Sequence, residues 1–240
     1  MDFTKKLKDK SNDIIGQKSL TIAFFGDSIT QGCFEIYKTG EKSIQTVFDI
    51  ENSYSMKLKK IFSLIYPNVQ INIINSGISG DSTNNALKRI DRDILTFSPD
   101  LVVVCFGLND SNNGLSYIQN YKENLKKIFT KIKAQNIEVV LMTPNMMNTK
   151  TSCHITDSFI KGIAEKFALI QNSGLLKKYI DEAKAVANEE NIYICDCYDK
   201  WEKLNKAGVE TSELLANHLN HPTRDMQWLF AYSLFETIMF

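Results

Sequence analysis

The sequence predicts a doubly wound α/β/α sandwich, three layers built on about five parallel strands. Short apolar runs rich in Val, Ile, Leu and Phe alternate along the chain with longer stretches of helical period. The runs are continuous rather than alternating, as expected of strands buried on both faces of a parallel sheet. Strand followed by helix, repeated, requires right-handed crossovers that cover both sides of that sheet. With 240 residues, 43% of them apolar and 23% charged, and no Pro/Gly-rich linker or internal repeat, residues 1–240 read as one domain.

The first strand is expected over Ser19–Phe25 and gives way to Gly26-Asp27-Ser28-Ile29-Thr30. Residues Cys33–Asp49 lack a clear period and are expected to form a loop covering part of the site. A crossover helix over Asn52–Tyr66 leads to the second strand, Gln70–Ile74, and to the loop Ser79-Gly80-Asp81. The next helix, Ser82–Phe97, carries Leu87, Ile90, Ile94 and Leu95 at three-and-four spacing and precedes the third strand, Leu101–Phe106. After Gly107-Leu108-Asn109-Asp110 follow a helix over Ser116–Gln135 and the fourth strand, Glu138–Met142. One long helical stretch, Ser158–Glu190, precedes the fifth strand, Ile192–Cys197. The apolar residues of Asp225–Phe240 suit a last helix docked on the sheet, with His221-Pro222-Thr223 as the loop before it. The first three strands end at Phe25, Ile74 and Phe106, so the loops bearing Ser28, Gly80 and Asn109 open onto one edge, where this architecture binds ligands.

Composition narrows the function. Lys plus Arg balances Asp plus Glu at 28 each, which disfavours nucleic acid as a partner. No run approaches the roughly 18 apolar residues of a membrane span, and Met1–Lys8 has no signal-like apolar segment. A cytoplasmic protein is expected, secretion staying open if a leader precedes this chain. The five cysteines are odd in number, and Cys105, Cys195 and Cys197 fall in expected strands, so no disulfide framework is expected. Trp201, Trp228 and the Phe-rich tail read as core. Met146 and Met147, after the fourth strand, are candidates to line an acyl pocket.

The loop residues carry an acyl-transfer chemistry. Ester cleavage needs a hydroxyl activated by a base, and donors aimed at the oxygen that becomes negative in the tetrahedral intermediate. Ser28 and His221 supply the hydroxyl and the base; the N–H groups of Ser28 and Gly80 and the side-chain amide of Asn109 supply the donors. Asp27 and Asp110 follow strand ends and read as binders of loop N–H groups. His218 and His221, joined by Cys153-His154 or by Cys195 and Cys197, are too scattered to read as a zinc site, so neither metal nor cofactor is expected.

In order along the chain, Gly26-Asp27-Ser28-Ile29-Thr30, Gly77-Ile78-Ser79-Gly80-Asp81-Ser82, Gly107-Leu108-Asn109-Asp110 and His221-Pro222 resemble the blocks of the SGNH or GDSL-type hydrolases. The resemblance implies a flavodoxin-like sandwich and hydrolysis of esters or thioesters without a metal. It also implies that Ser28, Gly80, Asn109 and His221 are the four name-giving residues. The G-x-S-x-G elbow of the α/β-hydrolases fits less well, because Thr30 stands at its second glycine.

One position departs from the family pattern. The aspartate usual three residues before the histidine is His218 here, within Asn217-His218-Leu219-Asn220-His221. Loss of a triad aspartate costs about 10⁴-fold in rate in a serine protease, largely by misorienting the histidine. Another group must therefore orient His221. A main-chain carbonyl of the 215–220 turn comes first, as in some members of the family. The side chains of Asn220 or Asn217 come second and Asp225 third, while a neutral His218 can only accept a hydrogen bond.

The expected substrate is a small-molecule or carbohydrate ester with a short acyl group; lysophospholipids and thioesters are served by the same centre. A catalytically silent acyl- or carbohydrate-binding module and a flavodoxin-like cofactor binder are the competing readings. The second is disfavoured because the first loop lacks clustered glycines. Oligomeric state stays open.

Overall fold

A computed structural model describes the whole chain, Met1–Phe240. Five parallel strands form the central sheet: β1 Leu20–Gly26, β4 Ile71–Gly77, β5 Leu101–Cys105, β6 Glu138–Met142 and β7 Tyr193–Cys195. Their order is β4-β1-β5-β6-β7, the flavodoxin-like 2-1-3-4-5 when counted within the sheet. The order reverses between β1 and β5, whose register pairs Gly26 with Cys105, so the loops after these strands flank the switch point.

The two faces of β1 explain the layers. Leu20, Ile22 and Phe24 point into a core shared with helices α1 (Asp2–Asn12), α3 (Tyr54–Ile65), α9 (Cys197–Lys206) and α10 (Gln227–Met239). Ala23 and Phe25 point the other way, to α4 (Thr83–Asp93), α6 (Ile118–Lys133) and α8 (Leu175–Glu189). Period-two alternation along a strand buried on both faces thus produces two apolar layers.

Two devices lock the site-bearing ends of the strands. A Cβ on Gly77 would lie 2.2 Å from the Gln31 nitrogen, so only glycine lets the end of β4 press against α2, the short helix Ser28–Gln31. The buried guanidinium of Arg89, on α4, donates to the carbonyls of Gly26 (3.1 Å) and Ser76 (2.8 Å) and to the Asp81 carboxylate (2.8 Å from Nε). It ties β1, β4 and the following loop into one unit.

The structure corrects four expectations. Residues expected as a loop after Cys33 form an antiparallel hairpin, β2 Cys33–Gly40 and β3 Ser43–Phe48, which is not part of the main sheet. The stretch Ser158–Glu190 is two helices, α7 Ser158–Asn172 and α8, because the chain breaks at Gly174. The fifth strand is only three residues long, since Asp196 caps α9 by accepting from the Asp199 N–H (3.1 Å). Trp201 is fully buried, but Trp228 is 38% exposed and stacks under the ammonium of Lys57 (4.7 Å). Helix α1 went unread; its Phe3 and Leu7, one turn apart, are buried against the sheet. No helix is long and apolar enough to cross a membrane.

Candidate active site

Ser28 begins α2, directly beyond the end of β1. Asp27 caps that helix, its carboxylate accepting the Ile29 N–H at 3.0 Å, which turns the chain sharply and presents the Ser28 hydroxyl at the switch point. The hydroxyl oxygen lies 3.0 Å from His221 Nε2, although the two residues are 193 positions apart. Both side chains are buried.

Asn217 builds the turn that delivers His221. Its side-chain oxygen accepts the N–H groups of Leu219 (3.0 Å), Asn220 (3.0 Å) and His221 (2.9 Å). The Ala216 N–H closes the loop onto the His221 carbonyl (2.7 Å), and His218 takes the left-handed conformation, φ 54°, that the reversal demands.

The group on His221 Nδ1 is the carbonyl of Phe34, at 2.9 Å. The expected carbonyl of the 215–220 turn is not the group on Nδ1; a main-chain oxygen from the root of the β2–β3 hairpin stands there instead. None of the four side chains proposed to orient His221 stands there. Asn217 holds the His221 backbone, and Asn220 accepts from Asn217 at 3.0 Å. His218 stacks on His154, ring centroids 5.3 Å apart, with Glu213 3.7 Å from its Nδ1. Asp225 makes no hydrogen bond to the imidazole, whose Nδ1 and Nε2 partners are Phe34 and Ser28.

Gly80 and Asn109 face the same strand edge. Gly80 sits at φ 77° with open space where a Cβ would stand, and its N–H has no acceptor within the protein. The N–H of Ser28, at the start of a helix, is likewise free of an intrahelical partner. The Asn109 amide donates to the Asp81 carbonyl at 2.9 Å and makes a long 3.4 Å contact with Asp27 Oδ2. The first bond anchors it; the second is at the weak limit and leaves that N–H able to turn to a ligand. The arrangement can stabilise an oxyanion with three donors.

Asp27 and Asp110 bind loop donors: Asp110 accepts the Thr83 N–H (3.1 Å) and hydroxyl (2.6 Å). Burial raises Asp27 to about 7 and Asp110 to about 6, with the neighbouring carboxylates adding to both. Burial lowers His221 from 6.5 to about 4, only partly opposed by the Phe34 carbonyl. The folded protein thus binds a proton at His221 less readily than the unfolded chain. This residue's contribution to stability is present above pH 6.5 and is lost as pH falls from 6.5 towards 4. The acidic limb of kcat/KM should accordingly lie well below 6.5, towards 4. A second inflection near 7 would be that of Asp27, and Asp27→Asn should remove it. Stopped-time assays from pH 3.5 to 9 would check both.

Cys195 and Cys197 face each other in the core, sulfurs 3.7 Å apart. Met146 and Met147, the candidates to line an acyl pocket, are buried in the core on the α3 side of the sheet. Sequence reasoning missed Phe34, whose contribution is a main-chain atom. It also missed Arg89, whose helical position resembles that of any surface arginine.

The profile of the GDSL-like Lipase/Acylhydrolase family matches residues 24–229. Among curated proteins, the chain is 28% identical to an acetylxylan esterase of Geobacillus stearothermophilus over 138 residues, 54% of this chain and 60% of that protein. It is 29% identical to an arylesterase of Vibrio mimicus over 111 residues, 44% of this chain and 55% of that one. The chain thus spans less than two thirds of the lengths of these relatives. In fold it is similar to the crystal structure of the Geobacillus stearothermophilus acetylxylan esterase, with TM-score 0.68 and 21% identity over 92% of this chain and 94% of that one. The acetyl xylan esterase AlAXEase is also similar, with TM-score 0.67 and 19% identity over 92% of this chain and all of that one. The profile match covers every segment that builds the site, from the end of β1 to the turn bearing His221, and the chain belongs to the GDSL-like lipase/acylhydrolase family.

Proposed function

We propose that the protein is a serine ester hydrolase that removes short acyl groups from a polar alcohol, with O-acetylated carbohydrate as the leading substrate class. The observation that carries the reading is the line of contacts from Ser28 Oγ to His221 Nε2 (3.0 Å) and from His221 Nδ1 to the Phe34 carbonyl (2.9 Å). With Nδ1 donating to that carbonyl, Nε2 is left unprotonated and accepts the serine proton.

Ser28 attacks the ester carbonyl as His221 takes its proton, and the oxyanion forms among the N–H groups of Ser28 and Gly80 and the Asn109 amide. His221 then protonates the leaving alcohol, and a water deprotonated by His221 releases the acid from the acyl-enzyme. No carboxylate meets the developing imidazolium; the Phe34 carbonyl dipole is its partner.

The polar alcohol is supported by a cavity of about 240 Å³ lined by Glu35, which follows Phe34, and by Ala216, Asn217 and His218 of the turn that leads to His221. His154, Thr156 and Asp157 line it as well. Hydrogen-bonding groups of this density suit hydroxyls better than a long acyl chain. The similar acetylxylan esterases support the same substrate class by their names.

A panel of acetyl, butyryl and octanoyl p-nitrophenyl esters, with acetylated xylooligosaccharides beside them, tests the reading. The acetyl compounds should give the highest kcat/KM. Preference for octanoyl esters would overturn the substrate class. A folded protein that a fluorophosphonate does not label at Ser28 would instead support a silent binding module, the reading that His218 at the family's aspartate position favours.

A further inference from the structure

We propose that Arg224 is a positioning residue of this reaction, one that holds the Phe34 carbonyl against His221 Nδ1. The inference rests on the Ser28–His221 reading above.

The hairpin that carries Phe34 is not bonded into the main sheet. Its root is closed by the bond from the Asp49 N–H to the Gly32 carbonyl (2.9 Å), and its outer part is tied by Lys38 to Asp157 (2.6 Å). Between these points the placement of residues 34 and 35 falls to Arg224, three residues beyond His221. Its Nη1 and Nη2 donate to the two oxygens of Glu35, at 2.5 and 3.1 Å, and its Nε donates to Asp49 at 2.7 Å. The guanidinium carbon lies 4.4 Å from the centre of the Phe34 ring. One planar cation therefore grips both legs of the hairpin and the side chain of the residue whose carbonyl orients His221. The two-pronged geometry with Glu35 fixes direction as well as distance, which a lysine could not reproduce.

Position, and not stability, is what the clamp secures. The side chains of Arg224, Glu35 and Asp49 are 34%, 44% and 26% exposed, and ion pairs this open add little to folding. The Phe34 carbonyl, by contrast, is the only group found on His221 Nδ1. Loosening the hairpin root would let the imidazole turn or take the other tautomer, with the hydroxyl at Nε2 left without its base. Glu35 and Asp49 keep Arg224 protonated, and its guanidinium in turn holds both carboxyls below their ordinary values, so both sides of the clamp favour the charged forms.

The full-length chain would be compared with Arg224→Ala, Arg224→Lys and Glu35→Gln. The readouts are steady-state hydrolysis of p-nitrophenyl acetate, the rate of Ser28 labelling by a fluorophosphonate, and ¹⁵N–¹H spectra of the imidazoles. Arg224→Ala should lower kcat and the labelling rate about ten- to a hundredfold, the scale of a small misplacement of a reacting group. With p-nitrophenyl acetate, whose leaving group lacks the sugar hydroxyls that the Glu35-lined cavity would bind, the loss should fall on kcat far more than on KM, and His221 should pass from a single Nδ1-protonated form to mixed tautomers. Arg224→Lys should fall between, and Glu35→Gln should show a smaller loss of the same kind.

Wild-type kcat in Arg224→Ala, or a lower kcat with an unaltered His221 spectrum, would overturn the role of Arg224. If Arg224→Ala does not fold, Glu35→Gln decides, and wild-type kcat with an unchanged spectrum there is the overturning result. A wild-type protein that does not label at Ser28 marks failure of the dyad reading itself. Labelling of wild type and Arg224→Ala at equal rates marks failure of the clamp alone.

Discussion

Ser28→Ala is expected to lower kcat for acetyl esters by about 10⁶-fold, the scale seen when the nucleophile of a serine hydrolase is removed. The hydroxyl is buried and touches the imidazole at 3.0 Å, so the substitution removes the group that His221 would activate. His221→Ala should cost a similar factor. The double variant should be no worse than either single one, because the two groups act as a unit. Thermal unfolding should change little in Ser28→Ala, which deletes one oxygen. Intact-mass spectrometry after reaction with a fluorophosphonate checks the same assignment, the adduct appearing in wild type and in neither variant. Turnover by purified Ser28→Ala at the wild-type rate would end the serine mechanism.

Arg89→Met should produce the largest loss of stability among the polar residues around the site. The guanidinium and its partner Asp81 are 7% and 3% exposed. Removing one member of a buried pair leaves the other charge without compensation, at a cost of about 3–5 kcal/mol. For a chain of this size that corresponds to a fall in Tm of roughly 6–20 °C. Activity should fall as well, since the loop carrying Gly80 hangs on this pair and the Asp81 carbonyl holds the Asn109 amide. The combined variant Arg89→Met with Asp81→Leu should unfold at a higher temperature than Arg89→Met alone, because no isolated charge then remains buried. Calorimetry on the three proteins checks both statements, and an unchanged Tm in Arg89→Met would refute them.

What the sequence made legible, and what it hid, follows from how each contact is made. Strands such as Leu101–Cys105 were readable because burial on both faces demands an unbroken apolar run. Ser28, Gly80 and Asn109 were readable because each follows such a run, and parallel strands put their carboxyl ends on one edge. Phe34 was not, because a carbonyl belongs to every residue and leaves no side-chain signature. The hairpin around it escaped notice since its outer half is exposed on both faces; the clue lay in Ile44, Thr46, Val47 and Phe48, residue types that favour strands. Asn217 was singled out for the right segment and the wrong bond. Its short amide satisfies the backbone of its own turn, a local competitor that a search for long-range partners overlooks.

Ser28 follows the first strand of the sheet, and His221 sits in a turn just before α10. During synthesis the 193 positions that separate them must all be made before hydroxyl and imidazole meet. A nascent or truncated chain ending short of residue 221 carries a serine no more reactive than any other, so premature release yields a product unable to attack esters in its surroundings.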